Sequence, residues 1–352
     1  MEAKLVSDLP SESGWQFEPK WDGFRCIAVK DGNRAELWAK SGKQLGRYFP
    51  EVVGLVQNLP GERLTLDGEL IVAIEGVASF DALQQRLHPA ASRVRKLAAA
   101  TPALLVTFDL LYLGHDAWHH RPLGERRAAL ETFTGSVAAA EGLRLSPATT
   151  DPAVARHWFE ELSQELDGVI AKRLDEPYAS GERAMLKMKR IRTADCVVAG
   201  FRYGTASAMV GSLLLGLFNA EGKLDHVGFT SGLAAKDKPE LTDRLEALNG
   251  GPGFTGKAPG GPSRWSTERT AEWTPLKHEL VVEVSYDQIT GARFRHGTRI
   301  VRYRPDKTAR QCTFDQLARP VEPDALIKAV IRETKPHGFS IFEQKPGPDI
   351  GH

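Results

Sequence analysis

Glu18-Pro-Lys-Trp-Asp-Gly-Phe-Arg25 is the stretch whose reading decides the fold. Lys20 is followed by an acid at Asp22, a glycine at Gly23 and a second base at Arg25. In extended backbone, positions 20 and 22 project to the same side. Gly23 lets the chain turn or lets a ligand approach closely. A lysine beside such a turn can act as a nucleophile once it has lost its proton. With an ordinary pKa of about 10.4, that requires nearby cations, a metal or desolvation. Taken alone, so short a pattern equally describes an exposed turn lysine. The segment Phe24–Lys30 alternates, and Asp31-Gly32 is a hairpin signal, which makes Arg34–Trp38 the returning strand.

Outward from that hairpin, the runs Leu64–Ala73 and Leu104–Leu113 read as apolar strands. Ser79–His88 places Phe80, Leu83 and Leu87 on one helical face. Asp151-Pro152 starts a helix, with Asp as N-cap and Pro at the first helical position. That helix is predicted to run to about Leu166 and to lead into a strand over Gly168–Arg173. Near Thr193-Ala194 the texture changes to short strands between glycine-rich turns: Cys196–Phe201, Gly211–Phe218, Leu224–Ser231, Leu280–Tyr286 and Thr298–Arg304. A polar helix, Ala235–Leu248, and a Gly/Pro-rich loop over 250–264 interrupt them. Five strands with one helix fit a small OB-fold barrel. The chain is therefore expected to be α+β. A mixed domain of antiparallel sheets and helices over 1–193 precedes a five-stranded OB-fold over 194–335 and a tail over 336–352.

Further motifs follow the first in order. They are Leu66-Asp-Gly-Glu-Leu70, Thr107-Phe-Asp-Leu-Leu-Tyr112, Asp167-Gly-Val-Ile-Ala-Lys172 and Met185-Leu-Lys-Met-Lys189, then Arg299, Arg302, Arg304, Asp306 and Lys307. The ordered set resembles the covalent nucleotidyltransferases: ATP-dependent DNA ligases, RNA ligases and mRNA capping enzymes. The resemblance covers residues 18 to 307 and is nearest to the small bacterial ligases of the C and D repair groups. It implies that residues 1–193 form an adenylation (nucleotidyltransferase) domain. It also implies an activity: AMP joined to Lys20, passed to a DNA 5′-phosphate, and the nick closed by the 3′-hydroxyl. A capping guanylyltransferase or an RNA ligase is the alternative.

The same resemblance implies roles. Lys20 would attack the α-phosphate of ATP, with Lys187 and Lys189 on one face of a strand toward that phosphate. Glu18 would lie beside the base, Phe108 would stack on adenine, and Glu69 would contact the ribose and a metal. Arg25, Arg47 and Arg183 look like nucleotide-contacting arginines, and Lys172 closes the fourth motif beside the nucleotide. Mg²⁺ (or Mn²⁺) would be held by Glu69, Asp167 and Asp22; Asp167 stands where most DNA ligases have glutamate, a shorter reach to the same ion. Arg302, Arg304, Asp306 and Lys307 would serve the departing pyrophosphate, from a C-terminal domain that closes over the ATP site and then swings away for sealing.

Composition sets the limits. Net charge is only +1 over 352 residues, so any nucleic-acid footprint must be local. Two clusters qualify: residues 172–192, and Arg293–Arg310, where Asp306 is the single acid along the chain. Cys26, Cys196 and Cys312 are too few and too far apart for a disulfide framework or a zinc site. That argues against NAD-dependent bacterial ligases, which carry a four-cysteine finger. The first residues, MEAKLVSDLP, lack a secretory apolar region, and only nineteen residues precede Lys20. The expectation is a cytoplasmic, single-chain, stand-alone enzyme with no membrane contact. Its substrate would be nicked or broken double-stranded DNA. A repair primase-polymerase or an end-binding protein is a partner implied by resemblance alone.

Overall fold

The computed structural model describes residues 1–137, 140–161, 166–260, 272–317 and 330. The tail over 336–352, the end of the helix begun at Pro152 and the last part of the loop over 250–264 lie outside the described residues. The chain divides into two compact units, meeting between Lys189 and Arg190, with the second spanning Arg190–Pro320; Val330, expected within the OB-fold over 194–335, packs instead against the Phe17 and Trp158 core of the first. The sequence reading places that division after residue 193; the strand that opens the second unit begins at Arg192, so Thr193 falls inside it.

The first unit contains β1 (Ala3–Leu5), β2 (Trp15–Lys20), β3 (Phe24–Asp31), β4 (Arg34–Ala39), α1 (Pro50–Asn58), β5 (Arg63–Ile74), β6 (Val77–Ala78), α2 (Phe80–Gln85) and α3 (Ala91–Ala100). It continues with β7 (Ala103–Leu113), β8 (Asp116–Ala117), α4 (Leu123–Ser136), β9 (Leu143–Leu145), α5 (Pro152–Glu161), β10 (Gly168–Arg173) and β11 (Met185–Lys189). The larger sheet has the order β4-β3-β5-β7-β8, with β6 on β5 and β9 on β7; the smaller is β1-β11-β10-β2. Pairing is antiparallel except at β1·β11 and β7·β9.

β5 and β7 read as near-continuous apolar runs because both faces of the larger sheet are covered. Consecutive side chains point to opposite faces. Leu70 and Leu105 enter a core with Val52 and Val56 of α1, Leu83 of α2, and Leu130 and Phe133 of α4. Their neighbours Ile71 and Val106 enter a second core with Phe17, Trp21, Trp158, Val169 and Ala171. The smaller sheet thus lies with α5 on the face of the larger sheet opposite α1, α2 and α4. α2 begins where the sequence places it, with the Ser79 hydroxyl accepting from Ala82 N–H at 3.2 Å. Likewise Asp151 caps α5, its Oδ1 accepting from Ala153 N–H at 2.7 Å.

The second unit contains β12 (Arg192–Tyr203), β13 (Val210–Phe218), β14 (Leu224–Thr230), α6 (Lys238–Ala247), β15 (Thr274–Pro275), β16 (Val281–Tyr286), β17 (Ile289–Thr290), β18 (Arg293–Phe294) and β19 (Arg299–Tyr303). The order is β14-β13-β12-β16-β19, with β15 on β12. Its ends meet: Thr298 N–H donates to Phe229 carbonyl at 3.1 Å and the Thr230 hydroxyl to Thr298 carbonyl at 2.8 Å. This is the barrel wrap of an OB-fold around Phe201, Leu213, Leu215, Val282 and Val284. α6 adds Leu241 and Leu245 to that core. The three cysteines are buried and free. No described helix is long and apolar enough to cross a membrane.

Candidate active site

β10 is the middle strand of the three that carry the lysines. Gly168 lies opposite Lys20 on β2 and opposite Lys189 on β11; Ile170 lies opposite Glu18 and Lys187. Gly168 has φ +138°, and a Cβ there would stand 2.0 Å from the Met188 carbonyl oxygen. Only glycine admits this approach, and it allows both lysines to converge on the preceding residue, Asp167. Asp167 N–H donates to the Lys20 carbonyl at 2.8 Å. Its carboxylate Oδ2 pairs with Lys20 Nζ and, at 3.0 Å, with Lys189 Nζ. The carboxylate is 5% exposed and the two lysines 24% and 23%. Burial alone would raise the Asp167 pKa, but the two ammonium groups hold it below the ordinary carboxylate range. Lys187 is pushed down by partial burial and by the like charges of Lys189, Lys20 and Lys40.

A second group lies between the sheets. Glu18 is buried and paired with Lys172 Nζ at 2.7 Å, and Gln16 Nε2 donates to it at 2.7 Å. Lys172 Nζ sits 4.5 Å from the Phe108 ring centroid and the Arg25 guanidinium 5.9 Å from it. Phe108 itself is half-buried on β7.

A third group joins the first motif to the larger sheet. Gly23 N–H donates to Glu69 Oε1 at 3.1 Å, and a Cβ on Gly23 would meet the Leu70 carbonyl oxygen at 2.2 Å. The close approach that the sequence left open at Gly23 is therefore made by Glu69 and the β5 backbone. Burial pushes the Glu69 carboxyl up to about 7, against the opposing pull of Lys20 and Arg25. Arg25 lies opposite Glu69 in register, yet its guanidinium turns to the fully buried Asp67. Nε donates to Oδ1 at 3.1 Å and NH2 to Oδ2 at 2.6 Å, while NH1 donates to the Met1 carbonyl. Tyr178 also donates to Asp67, at 2.7 Å. Asp22 lies near enough to Glu69 to add a raising influence on its carboxyl.

Not every expected residue joins these groups. Arg47 is exposed, lies over the Tyr48 ring and donates to the Pro89 carbonyl at 3.1 Å. Arg183 is exposed ahead of β11, where its charge acts on Glu2. Arg302, Arg304, Asp306 and Lys307 belong to the second unit. There, the single-acid count along Arg293–Arg310 does not survive folding. Asp195 of β12 and Glu283 of β16 come alongside, pairing with Arg304 at 2.8 Å and with Arg302 at 2.6 Å. Residues without an assignment from sequence also matter. Asp67 and Tyr178 orient Arg25, and a buried pair, Asp109–Arg126 at 2.8 Å, supports β7 next to Phe108. Asp67 and Asp109 fall inside the quoted motifs; nothing local marks Tyr178.

Among the described residues, no three His, Cys, Asp or Glu side chains group closely enough to cage a metal. Mg²⁺ does not need such a cage, since it is commonly bound through one or two carboxylates with phosphate and water completing the shell. The Asp167 and Glu69 carboxylates fit that donor set.

The family model of the ATP dependent DNA ligase domain matches residues 3–189, and that of the ATP dependent DNA ligase C terminal region matches residues 206–307. DNA ligase C of Mycobacterium tuberculosis is 43% identical over 337 residues, covering 91% of this chain and 94% of that protein. DNA ligase C2 of Mycolicibacterium smegmatis is 43% identical over 336 residues, again covering 91% and 94%. A multifunctional non-homologous end joining protein, LigD of Mycobacterium bovis, is 30% identical over 91% of this chain but only 38% of its own length. Among solved structures, a Lig E DNA ligase shares the fold with a TM-score of 0.54 at 16% identity, covering 86% of this chain and 100% of that one. With both halves matched and the two DNA ligase C relatives 43% identical across nearly their whole length, the chain belongs to the family of ATP-dependent DNA ligases.

Proposed function

We propose that the chain joins AMP to Lys20 Nζ and spends it on sealing nicks in duplex DNA. The observation that carries this is the Asp167 carboxylate shared by Lys20 and Lys189, with Lys187 beside them. The shared carboxylate holds Lys20 and Lys189 together, and the cations gathered there can neutralise charge on a phosphate under attack. In the first step the Lys20 N–P bond forms as the bond from the α-phosphorus to pyrophosphate breaks. Next, a DNA 5′-phosphate oxygen attacks that phosphorus and releases Lys20. Finally the 3′-hydroxyl attacks the 5′-phosphate and AMP leaves.

Glu18 and Phe108 supply the base pocket, with Lys172 fixing the Glu18 carboxylate. Glu69 serves the ribose, and Lys187 and Lys189 the α-phosphate. Arg304 and Lys307, with Arg302 and Asp306, serve the departing pyrophosphate, so their loss weakens the first step above the others. Asp167 and Glu69, with Asp22 nearby, would hold Mg²⁺ (or Mn²⁺), which supplies charge neutralisation at the transferring phosphate. Arg25 acts through Asp67, and for Arg47 and Arg183, which lie outside these groups, a nucleotide contact follows from the resemblance alone.

The relative named for end joining supports a place in break repair; an end-binding protein or primase-polymerase as partner follows from the resemblance alone. The test is sealing of a nicked duplex with ATP or GTP as the sole nucleotide. ATP-dependent sealing that is lost in Lys20→Ala is expected. GTP-dependent labelling without sealing would favour a capping guanylyltransferase, and sealing confined to RNA ends an RNA ligase.

A further inference from the structure

Asp195 holds two cations of the sixth motif at once. Its side chain is 9% exposed. Oδ1 accepts from Arg304 NH1 at 2.8 Å and Oδ2 pairs with Lys307 Nζ at 2.5 Å. The backbone behind it is pinned by Gln316, which accepts from Asp195 N–H at 2.9 Å and donates to its carbonyl at 3.1 Å. The remaining nitrogens of Arg304 turn to Asp306, Nε at 2.9 Å and NH2 at 2.7 Å.

Glu283 stands further off, at 3.9 Å from Arg304 NH1, and the two carboxylates hydrogen-bonded to Arg304 differ in kind. Asp306 is 62% exposed and lies two residues from Arg304 along the chain. Asp195 is buried on the central strand β12, in register with Glu283, which is itself in register with Arg302. An incoming phosphate can replace the exposed partner without leaving a buried charge unpaired; replacing Asp195 would do that. Lys307 gains most from the arrangement. It lies past the end of β19, and a long side chain there samples many rotamers unless something fixes it.

The geometry points to Asp195 as a positioning residue for the first chemical step: it touches no substrate but presets Arg304 and Lys307 as a pair for pyrophosphate, with Asp306 as the displaceable partner. This rests on the pyrophosphate role given above to the sixth motif. Preset cations lower the barrier because they need not be reorganised as charge develops on the leaving group.

The experiment compares Asp195→Asn, Arg304→Ala, Lys307→Ala and the combination of Asp195→Asn with Lys307→Ala in the full chain. Two rates are read: single-turnover adenylylation of Lys20 across an ATP titration, and sealing of a nick whose 5′ end already carries AMP. Asp195→Asn is expected to slow maximal adenylylation about 10–100-fold, the scale of losing alignment at a reacting centre. Half-saturating ATP should stay within about threefold and sealing of the adenylylated nick within about twofold, because the lost alignment serves only the transition state of the first step. In the Lys307→Ala background the further loss should shrink, because the two residues act as one unit. An unchanged or faster adenylylation by Asp195→Asn would overturn the proposal, the faster rate marking Asp195 as a brake. Equal loss in both assays with full additivity would also overturn it, leaving a structural acid. If Arg304→Ala and Lys307→Ala themselves leave adenylylation intact, the sixth-motif reading fails first, and the Asp195 proposal with it.

Discussion

Arg25→Ala separates two roles for the arginine of the first motif. The resemblance casts it as a nucleotide contact, whereas the structure spends all three of its nitrogens on Asp67 and the Met1 carbonyl. Asp67 is fully buried, and its other side-chain donor is Tyr178. Removing one member of a buried pair leaves a charge in low dielectric, at a cost of about 3–5 kcal/mol. The Arg25 side chain is 19% exposed, so water relieves part of this and the low end, about 3 kcal/mol, is expected. For a unit of this size each kcal/mol moves the melting temperature by about 2–4 °C, which gives a fall of about 6–12 °C. Replacing both partners, Arg25→Met with Asp67→Asn, should recover most of that loss, because no buried charge is left over. The assay is thermal unfolding beside single-turnover adenylylation at a temperature where every variant is folded. A melt within about 2 °C of the parent (less than one kcal/mol on that scale), together with a large loss of adenylylation, would refute the structural reading and return Arg25 to the nucleotide.

Two further outcomes follow from the same site. Glu69 keeps a proton in the folded chain up to about pH 7 that the unfolded chain releases near 4.5. The stability tied to that proton is complete below pH 4.5 and fades as pH rises through 7. Relative to the parent, Glu69→Gln should therefore gain about 1–2 kcal/mol between those limits, discounted for the water that reaches this half-buried carboxyl; a pH series of denaturant melts showing a constant difference would contradict the shift. Binding to nicked duplex should be steeply salt-dependent despite a net charge of +1. If the basic residues of 172–192 and 293–310 neutralise about five phosphates, log K falls against log salt with a slope near −4 to −5, and a flat titration would count against phosphate tracking.

Much of this was legible in the sequence. The strands over 64–73, 104–113 and 168–173 stand within a residue or so of where they read, because apolar runs bounded by turn residues leave little choice. The OB-fold emerges from five spaced strands and one helix; four strands lie within a residue of the expected limits, while β12 starts four residues before Cys196 and α6 starts three after Ala235. Three helices were not read: α1, α3 and α4. α4 buries Arg126 and Arg127 among its apolar positions, which breaks the helical stripe until Asp109, the partner of Arg126, is placed in space; Arg127 pairs within the helix with Glu131. The short hairpin of β17 and β18 has two-residue strands, below the length at which alternation carries information.

The site follows the same division. Residues inside one motif were found together, since a strand fixes the spacing of Lys187 and Lys189. Pairings between distant segments were not legible. Nothing along the chain says that Asp167 takes both Lys20 and Lys189, that Tyr178 seals the Arg25–Asp67 pair, or that Asp195 reaches Lys307. Arg47, a single arginine in a loop, carried the weakest signal, and it sits on the surface against Pro89.

The central claim is that Lys20 is the nucleophile, and it is met most directly by mapping the covalent adduct. The protein is incubated with labelled ATP and a divalent cation, digested, and the modified peptide sequenced. AMP on Lys20, absent from Lys20→Ala and also from Lys20→Arg because a guanidinium does not deprotonate to attack, is the predicted result. AMP on Lys187, Lys189 or any other side chain, or labelling that persists in either Lys20 variant, would contradict it.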